Sequence, residues 1–312
     1  MSTYWITGAR GFIGRHLARD LAAEGHRVAG LGHGAWPAVE ASAWGLDYWL
    51  NGDVSGSNLA QMQAELGAPD GVFHFAGGSS VGAALASPHE DFKRTVGSTA
   101  ELLEWMRQQS PQTPLVAVSS AAVYGAGHDG LIREDARLNP YSPYGTHKLM
   151  MEELCRSYAV NFGLAVALPR LFSVYGPELK KQLLWDTCNK LAALGDAELG
   201  GSGDELRDWT HVSDVATVLA RLPALADATA SVLNVATGRP VSVRAVVAEL
   251  AKAWSPEAPP PVRFSSRSRI GDPYCLCADV DRLAELGLSC STPVDTGVAE
   301  YVAWFRSEKG RS

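Results

Sequence analysis

A tyrosine and a lysine four residues apart could carry acid–base chemistry in this chain of 312 residues. Tyr144 and Lys148 lie in the segment SPYGTHKLMMEEL (142–154), which is predicted to be helical, so that both side chains share one helix face. A free tyrosine, with a pKa of about 10, is a poor base near neutral pH, but a nearby ammonium stabilises the phenolate and lowers that pKa. The spacing therefore predicts a proton-transfer pair, although two unrelated residues on a helix surface would show the same pattern.

Three glycines near the start of the chain have the spacing of a phosphate-binding turn. Gly8, Gly11 and Gly14 lie between the apolar segment TYWIT (3–7) and a helical pattern with apolar residues every four positions. A strand, a glycine turn and a helix together present backbone amides and the positive helix end to a pyrophosphate. Gly8 allows the tight turn, Gly11 the approach of the phosphates, and Gly14 the close packing of helix and strand. We therefore expect a bound dinucleotide.

The elements that must position these residues alternate between strands and helices through the first half of the chain. Predicted strands are the apolar segments at 3–7, 27–31, 71–77, 114–120 and 164–174, with helical patterns between them. Strands that are apolar throughout and alternate with helices indicate a parallel sheet covered on both faces. Right-handed crossovers then give an α/β fold with a doubly wound parallel sheet, the Rossmann arrangement.

The second half of the chain has a less regular pattern and predicts a smaller lobe. A segment rich in Pro, Ser and Arg at 254–273 is one sign of this change. We expect residues 1–176 to form the dinucleotide-binding domain, joined again by about 210–236. Residues 177–312 are then expected to form mainly the substrate-binding lobe.

Composition and charge limit the class of protein. The 27 Lys and Arg residues against 34 Asp and Glu residues give a formal charge of −7, the wrong sign for a general nucleic-acid binder. No apolar segment approaches the roughly 20 residues of a membrane helix, and the five cysteines lack zinc-finger spacing. We expect a cytoplasmic protein with no nucleic-acid partner, no membrane partner and no metal site.

Several motifs, in order along the chain, resemble those of one family. TGARGFIG (7–14) resembles the T-G-x-x-G-[FY]-[IL]-G opening of the extended short-chain dehydrogenase/reductases, which include nucleotide-sugar epimerases, dehydratases and reductases. VSSAAVYG (118–125), PRLFSVYGP (169–177) and GSGDELRDWTHVSDVA (201–216) resemble later motifs of the same family. The resemblance covers nearly the whole chain. It implies the Rossmann fold, bound NAD or NADP, and a nucleotide-diphosphate sugar as substrate.

The resemblance also implies roles for individual residues. Ser120 would bond a sugar oxygen and relay a proton to or from Tyr144, and Lys148 would hold the nicotinamide ribose. Arg207 would contact the nucleotide diphosphate, whose paired oxygens suit a guanidinium, and Arg269 would be a second contact to the diphosphate or to the ribose. Implied substrate contacts are Ser120, Ser173, Arg207 and Arg269. Implied cofactor contacts are Gly8, Arg10, Gly11, Phe12, Ile13, Gly14, Gly32, His33, Asp53, Val54, Ala76, Gly77, Tyr144, Lys148 and Phe172.

The residues after Ser120 bear on which reaction is catalysed. Ala121 and Ala122 occupy positions where the family's dehydratases have an Asp-Glu pair, and neither alanine can transfer a proton. Our main prediction is a nucleotide-sugar 4-epimerase that acts by transient oxidation at the C4 carbinol of the sugar. The alternatives are an NADPH-dependent reductase of 4-keto nucleotide sugars and, in another class, a non-catalytic dinucleotide-binding protein. The epimerase and the reductase would use the same three catalytic residues.

The residues after the second strand bear on the choice of dinucleotide. An acid that binds the adenosine ribose is expected there, but Gly32 and His33 occupy the position. Arg10 lies in the glycine turn on the same side of the adenosine pocket, and a guanidinium is well suited to a phosphate. We hypothesise that NADP(H) is tolerated or preferred, with NAD as the alternative.

The resemblance further implies a homodimer formed by helices near 90–108 and 144–162. The apolar residues available on these helices are Leu102, Met106, Met150 and Met151. The pattern leaves open whether these side chains line a dimer interface or belong to the buried core.

Overall fold

The computed structural model describes residues 1–266 and 273–310. The strands are β1 (Thr3–Thr7), β2 (Arg27–Gly32), β3 (Tyr48–Asn51), β4 (Gly71–His74), β5 (Leu115–Ala117), β6 (Ser119–Ser120), β7 (Val166–Leu171), β8 (Ser173–Tyr175), β9 (Ala197–Leu199), β10 (Leu206–His211), β11 (Ser231–Val235), β12 (Pro240–Ser242), β13 (Val262–Phe264) and β14 (Cys275–Leu276).

Helices cover much of the rest of the described chain. The α-helices are α1 (Phe12–Ala23), α2 (Ala38–Ala43), α3 (Gly56–Leu66), α4 (Val81–Ala86), α5 (Pro88–Phe92), α6 (Ser98–Gln109), α7 (Pro143–Phe162), α8 (Gln182–Leu194), α9 (Val212–Arg221), α10 (Val243–Trp254), α11 (Asp281–Glu285) and α12 (Val294–Gly310). A π-helical turn, Lys93–Gly97, joins α5 to α6. Among the residues that the structure describes, no helix combines the length and the apolar character needed to cross a membrane.

The main sheet is wound in two directions from β1. Its strand order is β3-β2-β1-β4-β5-β7-β11, with β6 also paired to β7. β1 pairs in parallel with β2 on one side and with β4 on the other, and β2–β3, β4–β5 and β5–β7 are parallel as well. Ligands of such sheets bind outside the carboxyl ends of the strands, where the strand order reverses. The predicted doubly wound Rossmann fold is confirmed.

The core lies against both faces of this sheet. Trp5 and Val72 are neighbours on one face, Ile6 and Phe73 are neighbours on the other, and each is at most 1% exposed. Burial on both faces explains why these strands are apolar throughout rather than alternating with polar residues.

The core also accounts for most of the side chains considered for a dimer interface. Leu102, Met106 and Met151 are fully buried in it and cannot contact a partner chain. Met150 points outward and is 41% exposed. Helical spacing placed these residues on apolar faces, but it did not show that three of them face the chain's own sheet.

The predicted strand 164–174 is divided into β7 and β8. The amide of Val174 donates to the carbonyl of Phe172 at 3.0 Å, a tight turn that changes the direction of the backbone. β8 then pairs with β10, placing Ser173 opposite Trp209, instead of continuing the main sheet.

The chain divides into two compact units. The first comprises Met1–Gly125, Ala136–Leu171 and Ala216–Asn234 and holds most of the main sheet. The second comprises Ala126–Asp135, Phe172–Val215 and the described part of Val235–Ser312. In the second unit β10 pairs with antiparallel β12 and with parallel β14 and β8, and β9 pairs with β13.

Candidate active site

The glycine turn joins β1 to α1, and its glycines let the turn, the helix and the neighbouring strand approach closely. Gly8 has φ +73°, and a Cβ there would lie 3.0 Å from the backbone nitrogen of Ala76. A Cβ on Gly14 would lie 2.7 Å from the carbonyl oxygen of Gly8, so helix and turn approach too closely for any other residue. α1 begins after Gly11, which has no side chain to cap the first amides. Amides at a helix start suit an anion such as a pyrophosphate.

Residues at the carboxyl ends of three central strands meet beside this turn. A Cβ on Gly32, at the end of β2, would lie 3.4 Å from Cα of Gly8. After β4, the amide of Ala76 donates to Oγ1 of Thr7 at 3.2 Å. Gly77 follows with φ +151°. Gly8, Gly11 and Gly14, with Gly32 and Gly77 at the neighbouring strand ends, form what we call the glycine cradle. It lies at the switch point of the sheet and fits the dinucleotide that the sequence predicts.

The adenosine end predicted for the cofactor has an exposed cation and an exposed hydrogen-bonded pair. Arg10 lies at the surface with its guanidinium packed over Gly34, where any Cβ would collide with it. Nε2 of His33 lies 3.0 Å from Oδ1 of Asp53, and both side chains are more than 60% exposed. Val54, next to Asp53, is 7% exposed. Asp53 was expected to contact the cofactor, and the structure shows its carboxylate beside His33.

The start of α7 places Tyr144 and Lys148 at the same edge of the sheet. Ser142 caps the helix, its Oγ accepting from the amide of Gly145 at 3.2 Å, and Pro143 occupies the first helical position. Tyr144 therefore lies in the first turn, and Lys148 follows one turn later. Nζ of Lys148, 4% exposed, donates to the carbonyl of Val118 at 2.8 Å.

Ser120 comes to the same place from the end of β6. Its Oγ accepts from the amide of Ala122 at 3.2 Å, and its hydroxyl is close enough to Tyr144 to lower the pKa of the phenol. A Cβ on Gly77 would lie 3.5 Å from Nζ of Lys148. The structure thus brings Ser120, Tyr144 and Lys148 together beside the glycine cradle.

The pKa of Tyr144 moves in the opposite direction from the one expected from its spacing to Lys148. Burial raises it, the hydrogen bond to Ser120 lowers it, and the charge of Asp91 raises it further, with a net increase. The expectation that Lys148 would lower this pKa was wrong for the protein alone, because spacing reveals neither burial nor Asp91. Burial also lowers the pKa of Lys148 to about 8, against the opposing effects of Asp91, Glu152 and Cys155.

His74, buried behind Lys148 at the end of β4, is neutral. The hydroxyl of Thr99 donates to the carbonyl of Thr95, so it accepts from Nε2 of His74 at 3.0 Å. Nδ1 of His74 then accepts from the hydroxyl of Thr7 at 2.7 Å. Burial, followed by the charge of Lys148, lowers the pKa of His74 to about 3.

A hydrogen-bonded pair that the sequence analysis did not identify lies next to the catalytic candidates. Nδ1 of His147 on α7 is 2.6 Å from Oδ2 of Asp91 on α5, and the two side chains are 12% and 5% exposed. His147 stands inside the Tyr-x-x-x-Lys segment itself, which was the available signal. Asp91 precedes it by 56 residues, and nothing in the sequence pattern links them.

The other predicted substrate contacts belong to the second unit or lie outside the described residues. Ser173 is in β8, directly after Phe172, and Arg207 is in β10. The guanidinium of Arg207 donates to the carbonyls of Leu206 and Tyr274. Arg269 lies outside the described residues.

Arg207 and the neighbouring Asp208 form no salt bridge with each other in the described part of the chain. The carboxylate of Asp208 is fully buried and accepts from the backbone amides of Thr237 and Gly238 at 2.8 Å. It also accepts from the hydroxyl of Thr237 at 2.7 Å. Asp208 is therefore a structural anchor for the 237–238 turn.

Comparison with known proteins places this geometry in a family. A family model described as "NAD dependent epimerase/dehydratase family" matches residues 4–236. The chain belongs to this family. The resemblance stated from the sequence motifs is thereby confirmed, and the family is one of enzymes.

Relatives and a solved structure of similar length align with this chain over nearly all of its residues. UDP-glucose 4-epimerase of Azospirillum brasilense is 30% identical, with 97% of this chain and 91% of that protein aligned. UDP-glucose 4-epimerase of Corynebacterium glutamicum is 31% identical, with 98% and 96% aligned. The structure of MoeE5 in complex with UDP-glucuronic acid and NAD is similar with a TM-score of 0.86 and 31% identity, covering 98% of this chain and 99% of that one.

Proposed function

We propose that this chain is an NAD-dependent UDP-sugar 4-epimerase. The observation that carries the proposal is the meeting of Ser120, Tyr144 and Lys148 beside the glycine cradle of a Rossmann sheet. Relatives aligned over nearly the whole chain are named as UDP-glucose 4-epimerases. The reaction would invert the configuration of the hydroxyl at C4 of a hexose bound to UDP.

Each of the three side chains would have a defined role in the mechanism. Tyr144 takes the proton from the C4 hydroxyl and later returns it, while the hydrogen bond from Ser120 stabilises the phenolate against the effect of burial. Ser120 also holds the C4 oxygen, and Lys148, fixed by the carbonyl of Val118, binds the nicotinamide ribose. When bound, NAD supplies the hydride acceptor for C4, and its positive ring favours the phenolate. The 4-keto sugar must present its other face before the hydride would return to C4 and Tyr144 would return the proton to the oxygen.

Two observations favour this reaction over the alternatives: the residues that follow Ser120, and the activities named for the relatives. Ala121 and Ala122 lie in the turn directly after Ser120 and cannot transfer a proton, which disfavours dehydration. The named activities of the relatives favour epimerisation over reduction of a 4-keto sugar. A non-catalytic dinucleotide binder would have no use for the three assembled side chains.

NAD is the cofactor that we propose, held by the predicted residues around the cradle. Gly8, Gly11 and Gly14 would admit the pyrophosphate, with Gly32 and Gly77 at the neighbouring strand ends. MoeE5, which is 31% identical, was solved with NAD. NADP(H) would be tolerated in addition, because the exposed guanidinium of Arg10 lies beside Gly34 and no carboxylate stands at Gly32. Further contacts are proposed from Phe12, Ile13, His33, Asp53, Val54, Ala76 and Phe172.

The substrate is proposed to be a UDP-hexose. Arg207 would bind its diphosphate, because a guanidinium fork suits paired oxygens, and Arg269 would add a second contact. Ser173 would hydrogen-bond to the sugar. Its side chain is shorter than that of the Asn that is usual at this position in the family. The relatives and MoeE5 supply two sugar classes to test, neutral hexoses and uronic acids.

We also propose a cytoplasmic homodimer. Met150 and Val160 on α7 are 41% and 73% exposed and lie about 80° apart around the helix, which leaves apolar surface for a second copy. All five cysteines are unpaired, as is usual in a reducing compartment. Val160→Glu should shift the mass measured by light scattering from dimer to monomer.

The experiment that tests the function is an incubation of the purified chain with UDP-glucose, UDP-galactose, UDP-glucuronate and UDP-galacturonate in turn. An epimerase interconverts a pair that differs at C4 with no net change in nicotinamide absorbance. Consumption of stoichiometric NADPH with a 4-keto sugar would instead support the reductase. Failure with every sugar, together with retained NAD, would support the non-catalytic binder.

A further inference from the structure

The buried pair Asp91–His147 lies where it can act on both members of the catalytic Tyr-x-x-x-Lys segment. His147 directly precedes Lys148 and follows Tyr144 by three residues on α7. A carboxylate can only accept a hydrogen bond, so the ring nitrogen Nδ1 of His147 donates to Oδ2 of Asp91 over 2.6 Å. The ring of Phe92 packs edge-on against the imidazole at 5.5 Å. The pair thus fastens the first turns of α7 to the short helix α5.

The second oxygen of the Asp91 carboxylate lies over the turn that follows β4. A Cβ on Gly78 would collide with Oδ1 of Asp91, so glycine at this position makes room for the carboxylate. The amide of Gly78 is held by Oγ1 of Thr95 at 2.8 Å. A Cβ on Gly77 would contact both Oγ1 of Thr95 and Nζ of Lys148. Asp91 and Lys148 therefore lie against adjacent residues of the same glycine turn.

Asp91 differs from the other titratable groups that face the catalytic pair. These groups are His74 from β4, Asp91 from α5, and Glu152 and Cys155 from α7. His74 and Cys155 are neutral, since burial lowers the pKa of His74 to about 3 and raises that of Cys155 to about 12. The charge of Glu152 is partly offset by the guanidinium of Arg170, whose Nη2 lies 2.7 Å from Oε2 of the carboxylate. The partner of Asp91 is an imidazole, which carries charge only when protonated.

We propose that Asp91 and His147 form a positioning pair that holds α7 on the Gly77–Gly78 turn and sets the charge felt by Tyr144 and Lys148. The two residues would not touch the substrate. The carboxylate of Asp91 favours the ammonium of Lys148 and disfavours the phenolate of Tyr144, so it raises the pKa of both groups. The proposal rests on the proposed epimerase function for its kinetic test.

The first test is Asp91→Asn, which keeps the shape and removes the charge. Both limbs of the pH profile of kcat/KM should move to lower pH by about one unit, because both pKa values fall together. Glu90→Gln is the matched control, since it removes a carboxylate of the same helix whose partner, Arg94, is exposed. Its profile should match that of the unaltered chain. A loss of activity in Asp91→Asn with an unshifted profile would overturn the electrostatic role.

The second test separates the hydrogen bond from the histidine ring. His147→Asn places a donor near the position of Nδ1 and should keep kcat within about threefold, whereas His147→Ala should lower kcat by about ten- to a hundredfold through misplacement of α7. Equal losses in the two variants would overturn the positioning role.

A third readout works without a substrate. The ionisation of Tyr144 is measured as tyrosinate absorbance, taking the difference between each chain and the same chain carrying Tyr144→Phe. Asp91→Asn should lower this pKa, and an unchanged value would overturn the proposal. If the unaltered chain epimerises no UDP-sugar, the proposed function fails, and this titration still decides the role of Asp91.

Discussion

The guanidinium of Arg170 and the carboxylate of Glu152 form a buried ion pair, with Nη2 2.7 Å from Oε2 and Nε 2.9 Å from Oε1. Both side chains are at most 1% exposed. The hydroxyl of Ser119 donates to the same carboxylate at 2.6 Å. Because Glu152 follows Lys148 by one turn and Ser119 precedes Ser120, this cluster ties the helix of the lysine to the strand of the serine.

Glu152→Gln should lower the free energy of unfolding at neutral pH by about 3–5 kcal/mol, because Arg170 is left buried without its counter-charge. Urea denaturation measures the change. The matched control is Glu153→Gln on the same helix, which removes an exposed carboxylate and should change stability by less than about 0.5 kcal/mol.

The same pair predicts a dependence on pH. Burial pushes the pKa of Glu152 up, but Arg170, Ser119 and Arg156 outweigh it, so the pKa is lowered in the folded chain. The stabilisation is therefore present above the unfolded pKa of about 4.3 and is lost as the pH falls through the folded value. The stability gap between the unaltered chain and Glu152→Gln should narrow in acid. A gap of constant size down to about pH 3 would contradict this account.

Gly14→Ala should destabilise the chain by about 1–3 kcal/mol and weaken NAD binding, because its Cβ would press on backbone atoms of Gly8 and Ala9. Gly82→Ala is the control with the opposite sign. Gly82 is an exposed position in α4 with open space around it, so alanine there should stabilise by about 0.5–1 kcal/mol. Thermal unfolding and NAD titration measure both variants. Equal changes of stability in Gly14→Ala and Gly82→Ala would argue against a tight glycine turn.

Arg10→Ala should lower the affinity for NADP(H) by about tenfold and leave that for NAD(H) within about twofold, because a guanidinium contacts a 2′-phosphate and has little to bind in NAD. Arg19→Ala removes another exposed arginine, on α1, and should change neither affinity. Isothermal titration with the four dinucleotides gives the ratio. An unchanged NADP(H)/NAD(H) ratio in Arg10→Ala would sink the hypothesis of NADP(H) tolerance.

Tyr144→Phe should lower kcat by about 10²–10⁴ while NAD remains bound, because the proton acceptor is lost and the ring is kept. Ser120→Ala should lower kcat as well, and Ser120→Thr, which keeps a hydroxyl, should recover most of it. Steady-state kinetics with a UDP-sugar measure all three. Full activity of Tyr144→Phe would show that another group transfers the proton.

Local features of the sequence were sufficient to predict the sheet and the glycine cradle. The strands of the first unit are buried on both faces, which makes them apolar throughout, and Gly14 is required by contacts with Gly8 and Ala9, a few residues before it. The Tyr144–Lys148 arrangement follows from helical spacing alone. These features are local, so one stretch of chain contains the whole signal.

The features that the sequence did not reveal depend on contacts between distant residues. Asp91 and His147 are 56 positions apart, and the raised pKa of Tyr144 follows from burial and from Asp91. The turn at Phe172 sends β8 to β10, although the segment is apolar across the break. Leu102, Met106 and Met151 proved to be core residues, because amphipathic spacing does not show which surface covers the apolar face.

The most direct measurement is the fate of deuterium at C4 of a UDP-hexose incubated with the purified chain in ordinary water. The account predicts that the C4 epimer forms with deuterium still bound to C4, because the hydride removed from that carbon returns to it while Tyr144 exchanges only the hydroxyl proton. Nuclear magnetic resonance of the product reads the position directly. An epimer that carries solvent hydrogen at C4, or deuterium transferred permanently to added dinucleotide, would contradict the account.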